Sequence, residues 1–204
     1  MRQLLDRARG PMGPAVQLDF GVPTGPVVEL ATALAEVNGF FVFNAGVQVF
    51  RAGADGLGYD LEHWNEPDTW KDAYEGMADD LFCFGQDLFA SQFAIDDGAQ
   101  VVLMDAETGE RHRLGDSLED WAEWLFADPE HNGHGDTARG WQDQFGALDV
   151  TERLIHPQPL VLGGEHAADN VAVVDGISVL RALGPLAVAI RDLPPGTPID
   201  FRYD

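Results

Sequence analysis

The chain has 204 residues, of which 35 are Asp or Glu and 12 are Lys or Arg, so its formal net charge at pH 7 is −23. This charge excludes a general nucleic-acid binder and a peripheral protein of anionic membranes, because phosphate-rich surfaces would repel it. The length fits one domain spanning 1–204, which we divide into an N-terminal arm (1–25), a core region (26–128) and a C-terminal extension (129–204).

Cysteine usage and hydropathy bear on the compartment. The single cysteine, Cys83, cannot form an internal disulfide, which favours a reducing environment. The basic first residues contain no apolar segment of signal-peptide length. The longest apolar runs are four or five residues, whereas a membrane helix needs about 20. We therefore expect a cytoplasmic protein.

In chain order, the first half predicts a helix followed by antiparallel strands. Pro26 begins a helical repeat that ends at Asn38-Gly39, and the segments 40–43 and 47–50 have the composition and spacing of a hairpin. A Gly/Asp/Pro loop precedes a helix predicted over 68–77. Short turns then connect predicted strands at 81–84, 93–95, 101–104 and 111–114.

The second half predicts mainly helices. One begins near Ser117, with Leu118, Trp121 and Leu125 on its apolar stripe. The remaining predicted elements are a helix at 136–145, strands at 160–162 and 171–174, a helix at 176–192 that Pro185 should kink or split, and a strand at 199–201. Strands in a run with helices outside them are typical of an α+β fold, an antiparallel sheet flanked by helices, here with a strand-helix-strand extension at the C-terminal end.

Several landmarks stand in an order that is typical of one family. They are the helix end Asn38-Gly39-Phe40, the hairpin after it, Phe84-Gly85, the strand 93–95, Val101-Val102 before the turn 105–110, and the helix start 117–121. Over 26–128 the chain resembles the SUKH superfamily, which includes yeast Smi/Knr-type cell-wall assembly regulators and many bacterial immunity proteins. The segment 159–165 with Asn170 resembles the C-terminal extension of one bacterial branch. The acidic insert at 53–80 departs from the shortest family members.

The resemblance implies an α+β sheet flanked by helices and no catalytic activity. It also implies an immunity protein, which binds a cognate toxin made by the same bacterial cell and blocks it. The matched positions are mostly turns, caps and core, so the resemblance implies the fold and leaves the binding surface open.

Acidic residues are concentrated between 55 and 97, where twelve acids accompany one base, Lys71. Like charges so close together cost stability, which indicates a role in binding; the simple alternative is a genome-wide composition or a salty habitat. Trp64 and Trp70 could anchor an Arg- and Lys-rich partner, or could only fasten the loop to the body. The predicted site for a basic toxin domain, such as a nuclease or nucleotide-modifying enzyme, comprises Asp55, Asp60, Glu62, Trp64, Glu66, Asp68, Trp70, Asp72 and Glu75.

Catalytic motifs are weak by comparison. His131, His134 and Asp136 could ligate a divalent metal, but Gly-rich polar loops often hold histidines without a ligand role. Cys83 lies between two phenylalanines and is predicted to be a buried core residue. Neither a Gly-x-Ser-x-Gly elbow nor a P-loop is present. We therefore predict a non-enzyme without metal or cofactor. The alternatives are a regulatory or scaffold protein of the same fold and, more remotely, a metal-dependent hydrolase.

Overall fold

The computed structural model describes residues 1–194, 196, 197 and 199. Its helices are α1 (Arg2–Leu5), α2 (Pro26–Glu36), α3 (Leu61–Trp64), α4 (Leu118–Ala127), α5 (Gly135–Phe145) and α6 (Gly176–Ile190). Its strands are β1 (Phe40–Val42), β2 (Val47–Val49), β3 (Leu81–Asp87), β4 (Gln92–Asp96), β5 (Gln100–Met104), β6 (Arg111–Gly115), β7 (Glu152–Ile155) and β8 (Ala172–Asp175). Single 3-10 turns occupy Phe43–Ala45, Lys71–Tyr74, Leu160–Leu162 and Ala168–Asn170.

Within the described residues, β1 to β6 form one sheet in which each strand pairs antiparallel with its neighbour in sequence. The connections between successive strands run from short turns to the long acidic loop between β2 and β3. The register of β3 against β4 shifts between Cys83 and Gly85. At Gly85 a Cβ atom would lie 2.4 Å from the carbonyl oxygen of Gln48, so β2 can approach β3 only where the side chain is absent. The predicted α+β class, an antiparallel sheet with flanking helices, is confirmed.

The core lies where α4 covers the sheet. Ser117 caps α4 by accepting a hydrogen bond from the Asp120 backbone N–H at 3.1 Å. The ring of Trp121 then packs edge-on against Phe84 and Phe93, with centroids 5.1 Å and 5.3 Å away. All three side chains are fully buried, so the apolar stripe predicted for this helix is its core-facing side.

Two predicted elements are wrong, and α1, α3 and β7 were not predicted. Residues 68–77 form only the 3-10 turn Lys71–Tyr74, because Glu75 and Gly76 have positive φ values of 46° and 90° that end any helix. The segment 160–162 is a 3-10 turn, and β8 pairs instead with β7, a strand that was not predicted.

The last predicted helix is present in the structure, whereas the last predicted strand lies almost entirely outside the described residues. α6 continues past Pro185 as one element and is not split there. Its apolar residues on both sides of the proline, Leu183 and Leu186 among them, are buried, and this burial offsets the lost backbone hydrogen bond. The strand predicted at 199–201 lies outside the described residues except for residue 199.

Candidate functional site

The acidic segment, residues 55–80, follows the surface between β2 and β3. The exposed carboxylates of the predicted site are Asp55, Glu62, Glu66, Asp68, Asp72 and Glu75. Asp60 is half-buried and caps α3 by accepting a hydrogen bond from the His63 backbone N–H at 3.0 Å. The structure therefore places the predicted acids at the surface, with one of them used to begin a helix.

Cations neutralise only part of this segment. Asp72 pairs with Arg181 at 2.7 Å and Asp80 with Arg111 at 2.5 Å. Asp60 lies 3.9 Å from Arg51, and Glu66 lies 2.9 Å from the imidazole of His63. In the part of the chain that the structure describes, Asp55, Glu62, Asp68 and Glu75 have no ion-pair partner. Because nearby cations do not cancel them, these four carboxylates contribute a negative field to the solvent around the segment.

The two tryptophans of the predicted site are not surface anchors, and that part of the prediction is wrong. Trp64 and Trp70 are both 0% exposed. The Trp64 indole N–H donates to Gln92 Oε1 at 2.8 Å, and the Trp70 indole N–H donates to the carbonyl of Trp64 at 2.9 Å. With ring and N–H both satisfied inside the core, the tryptophans fasten the acidic segment to the sheet.

Lys71, the single base of the segment, is also withdrawn from the surface. It is 4% exposed, and its ammonium donates to the carbonyl of Leu81 at 2.6 Å. Burial lowers the pKa of Lys71 from its ordinary value. The cation therefore ties the segment to the start of β3 and is not presented to a partner.

A second cluster of acidic and histidine side chains lies beyond the end of β3. It surrounds a cavity of about 260 Å³, which we call the histidine pocket. Its polar lining consists of Asp87, Ser91, Asp105, Glu107, Thr108, His131, Asn132, His134, His156 and His166. Phe89 also lines it, stacked on His156 at 4.5 Å and edge-on to His134 and His166 at 5.3 Å and 5.5 Å.

Asp87 organises one wall of the histidine pocket. Its Oδ1 accepts the backbone N–H groups of Phe89 and Ser91 at 2.8 Å and 2.9 Å, which closes the turn after β3. Its Oδ2 lies 3.3 Å from Nε2 of His134, the residue that precedes α5. Burial lowers the pKa of His134, but the hydrogen bond and charge of Asp87 outweigh burial and raise it.

Glu107 organises the opposite wall. It accepts the backbone N–H groups of Leu160 and Val161 at 3.0 Å and 2.8 Å, and it lies 3.8 Å from Nδ1 of His156. Burial raises the pKa of Glu107, but these partners outweigh burial and lower it. Nε2 of His156 in turn lies 3.0 Å from Nδ1 of His166. Asp87 and Glu107, with the imidazoles of His134, His156 and His166, thus already bind one another or the backbone.

We expect Glu107→Gln to lower the free energy of unfolding at pH 7 by about 1–3 kcal/mol, because two backbone donors and an imidazole lose a charged acceptor. The native pKa of Glu107 lies below its ordinary value of 4.5. Its contribution is therefore complete above about pH 4.5 and is lost as pH falls through the native pKa. Urea unfolding at pH 7 and at about pH 3.5 tests this, with the exposed Glu110→Gln as control. A deficit that persists unchanged at the lower pH would contradict the assignment.

The metal site considered for His131, His134 and Asp136 does not form. His134 faces Asp87, Asp136 pairs with Arg139, and His131 is exposed. Over residues 1–194 and the three described beyond them, no three His, Cys, Asp or Glu side chains are arranged to hold a metal ion. Sequence reasoning also missed the histidine pocket, since nothing in the local pattern around Asp87 or Glu107 connects them to the histidines.

Cys83 lies inside the sheet, as predicted. Its thiol is 0% exposed, and burial raises its pKa to about 12. We expect the native protein to resist a thiol reagent such as 5,5′-dithiobis(2-nitrobenzoate) at pH 8 and to react fully once unfolded in urea. Rapid stoichiometric reaction of the folded chain would contradict this burial.

Comparisons with known proteins give information about the fold only. No protein-family model matches the chain, and no curated protein matches it. Among solved structures, the crystal structure of Atu4351 from Agrobacterium tumefaciens is similar, with a TM-score of 0.55 and 12% identity over 89% of this chain and 86% of that chain. At this identity the likeness shows a shared fold.

In the described part of the chain, no helix has the length and apolar character needed to cross a membrane.

Proposed function

We propose that this protein is a non-catalytic binding protein of SUKH type, an immunity protein that neutralises a basic toxin domain in the cytoplasm. One observation carries the proposal: the acidic segment exposes carboxylates without ion-pair partners, while its tryptophans and its lysine are buried. Folding alone does not require such an arrangement, because unpaired like charges on one segment destabilise the chain.

The buried contacts beneath the acidic segment hold its backbone in place, which favours recognition of a partner. Trp64 contacts Phe50 and Tyr59 with ring centroids 4.5 Å away in each case, and Lys71 is bonded to β3. These contacts order the backbone that carries Glu62, Asp68 and Glu75. Charges that are already ordered lose little conformational entropy on binding.

The chemistry of the partner follows from the sign of the charge. A nuclease or nucleotide-modifying toxin holds phosphate groups with Arg and Lys side chains, and carboxylates of the acidic segment would occupy the position of those phosphates. Long-range attraction between the two surfaces would accelerate association and would weaken as salt screens it. The pocket histidines and carboxylates bind within the protein, which favours a binding role over hydrolysis.

The proposal predicts that a neighbouring gene encodes a large protein with a basic C-terminal toxin domain, and the test uses that domain. Cells that express this domain should survive when the chain is co-expressed, and the two purified proteins should form a complex at low salt. Absence of both rescue and complex would contradict the proposal. A gene with no toxin gene beside it, together with a binding partner among housekeeping proteins, would instead support the regulatory alternative.

A variant with neutralised carboxylates tests whether the acidic segment is what accelerates association. Neutralising Glu62, Asp68 and Glu75 with Gln, Asn and Gln should lower the association rate constant by roughly tenfold at low salt, and the loss should diminish as salt increases. The matched control neutralises Asp97, Glu110 and Glu123, which are exposed outside the acidic segment. Stopped-flow or surface-binding kinetics measures both. Equal losses for the two variants would mean that net charge, and not this segment, guides association.

A further inference from the structure

An apolar groove lies beside the histidine pocket, bounded by α5 on one side and by the segment 166–171 on the other. This α5 groove has a volume of about 510 Å³. Phe89 and Leu154 form part of its lining, and it shares Phe89, His131, His134 and His166 with the histidine pocket. Its size is in the range of binding pockets, roughly 300–1,000 Å³.

Helix α5 presents aromatic side chains to this groove. Trp141 and Phe145 line it and lie one helical turn apart, with ring centroids 4.3 Å from each other. Phe145 remains 57% exposed. The helix is held from its other side, since Gln142 donates to the carbonyl of Asn44 at 2.5 Å and Asn44 donates to the carbonyl of Gly135 at 3.1 Å. A half-buried tryptophan beside an exposed phenylalanine on an anchored helix resembles the hot spots of protein interfaces.

The charge around the groove selects the occupant. Glu130 is exposed and lines the groove, and the exposed Glu165 and Asp169 are next to lining residues in sequence. The exposed Arg139 is also next to a lining residue, but it pairs with Asp136. Among the described residues that line it, none is Arg or Lys. An apolar floor with an acidic edge is complementary to an apolar side chain flanked by cations.

We propose that the α5 groove binds a segment of the basic toxin domain in which a large apolar or aromatic side chain is flanked by Arg or Lys. This inference rests on the proposed function and adds the surface that retains the partner. The acidic segment accelerates association, whereas burial of the anchor against Trp141 and Phe145 slows dissociation. Affinity differences between related complexes arise mainly in the dissociation rate.

The experiment measures dissociation of the toxin domain used in the co-expression test from three forms of the full chain. Phe145→Ser should accelerate dissociation roughly tenfold or more, with little change in the association rate constant. Val22→Ser is the matched control, because Val22 is 47% exposed but lies outside both the groove and the acidic segment; it should dissociate like the wild type. Urea unfolding confirms that each variant is folded, and the Trp141 indole N–H resonance should shift when the toxin domain is added.

The outcomes separate this inference from the function on which it rests. Rescue and complex formation with dissociation unchanged by Phe145→Ser, and with no shift of the Trp141 resonance, would overturn the groove while leaving the immunity function intact. A toxin domain that fails to bind the wild-type chain would overturn both. A homodimer that Phe145→Ser dissociates would also overturn the groove assignment, because a second copy of this chain would then be its occupant.

Discussion

Replacing Trp64 by alanine is expected to lower the free energy of unfolding by about 3–5 kcal/mol, the usual cost of removing a large aromatic ring from a core. The ring is 0% exposed and lies 4.5 Å from both Phe50 and Tyr59. The substitution also removes the indole N–H that donates to the buried Gln92. Urea unfolding followed by circular dichroism measures the loss.

The control for this experiment is Leu57→Ala in the same acidic segment. Leu57 is 62% exposed, so its truncation should change stability by less than about 0.5 kcal/mol. If Trp64→Ala were equally mild, the tryptophan would not be packed in the core. The interpretation of Trp64 as a surface anchor for a partner would then be restored.

Replacing Asp87 by alanine is expected to lower the free energy of unfolding by about 3 kcal/mol, because the buried Ser91 N–H, the partly buried Phe89 N–H and His134 would lose their acceptor. Asp87→Asn should cost much less, since its side-chain oxygen can still accept the bonds from Phe89 and Ser91. Both variants can be measured by urea unfolding at pH 7. The comparison separates the hydrogen bonds of the turn from the negative charge.

The effect of the negative charge of Asp87 can be measured separately, through the pKa of His134. In Asp87→Asn the pKa of His134, followed by NMR titration of the ring protons, should fall, because the partner that raises it has gone and burial remains. Protonated His134 stabilises the native wild type fully below about pH 6.5, and this contribution is lost as pH rises through the native pKa. An unchanged His134 pKa, or equal costs for Ala and Asn at position 87, would contradict the geometry of this wall.

The two clusters divide the surface chemistry of the molecule. In the acidic segment, burial of apolar and cationic side chains leaves carboxylates outside. In the histidine pocket, carboxylates are turned inward and hold imidazoles and loop backbone. The acidic segment presents unpaired charge and the α5 groove presents an apolar surface, so we assign the proposed partner to these two surfaces and not to the histidine pocket.

Local sequence determined most of the regular elements. Pro26 and Asn38-Gly39 bound a helix, Ser117 begins another, and alternating strands separated by short turns predict an antiparallel sheet. These features depend on residues a few positions apart, whose backbone preferences and side-chain periodicity act before any tertiary contact forms. The same reasoning placed Cys83 in the core, where the structure has it.

Tertiary structure alone decided which side chains are buried in the long loop and which distant residues meet. The indole N–H of Trp64 donates to Gln92, 28 residues away, and the indole N–H of Trp70 donates to a backbone carbonyl. Neither indole is therefore available to a partner. The strand β7 was missed because its pairing partner lies beyond a loop. Glu107 and His156 come together only when that loop folds back over the sheet. Burial and pairing across such separations depend on the free energy of packing the whole chain, which no local window contains.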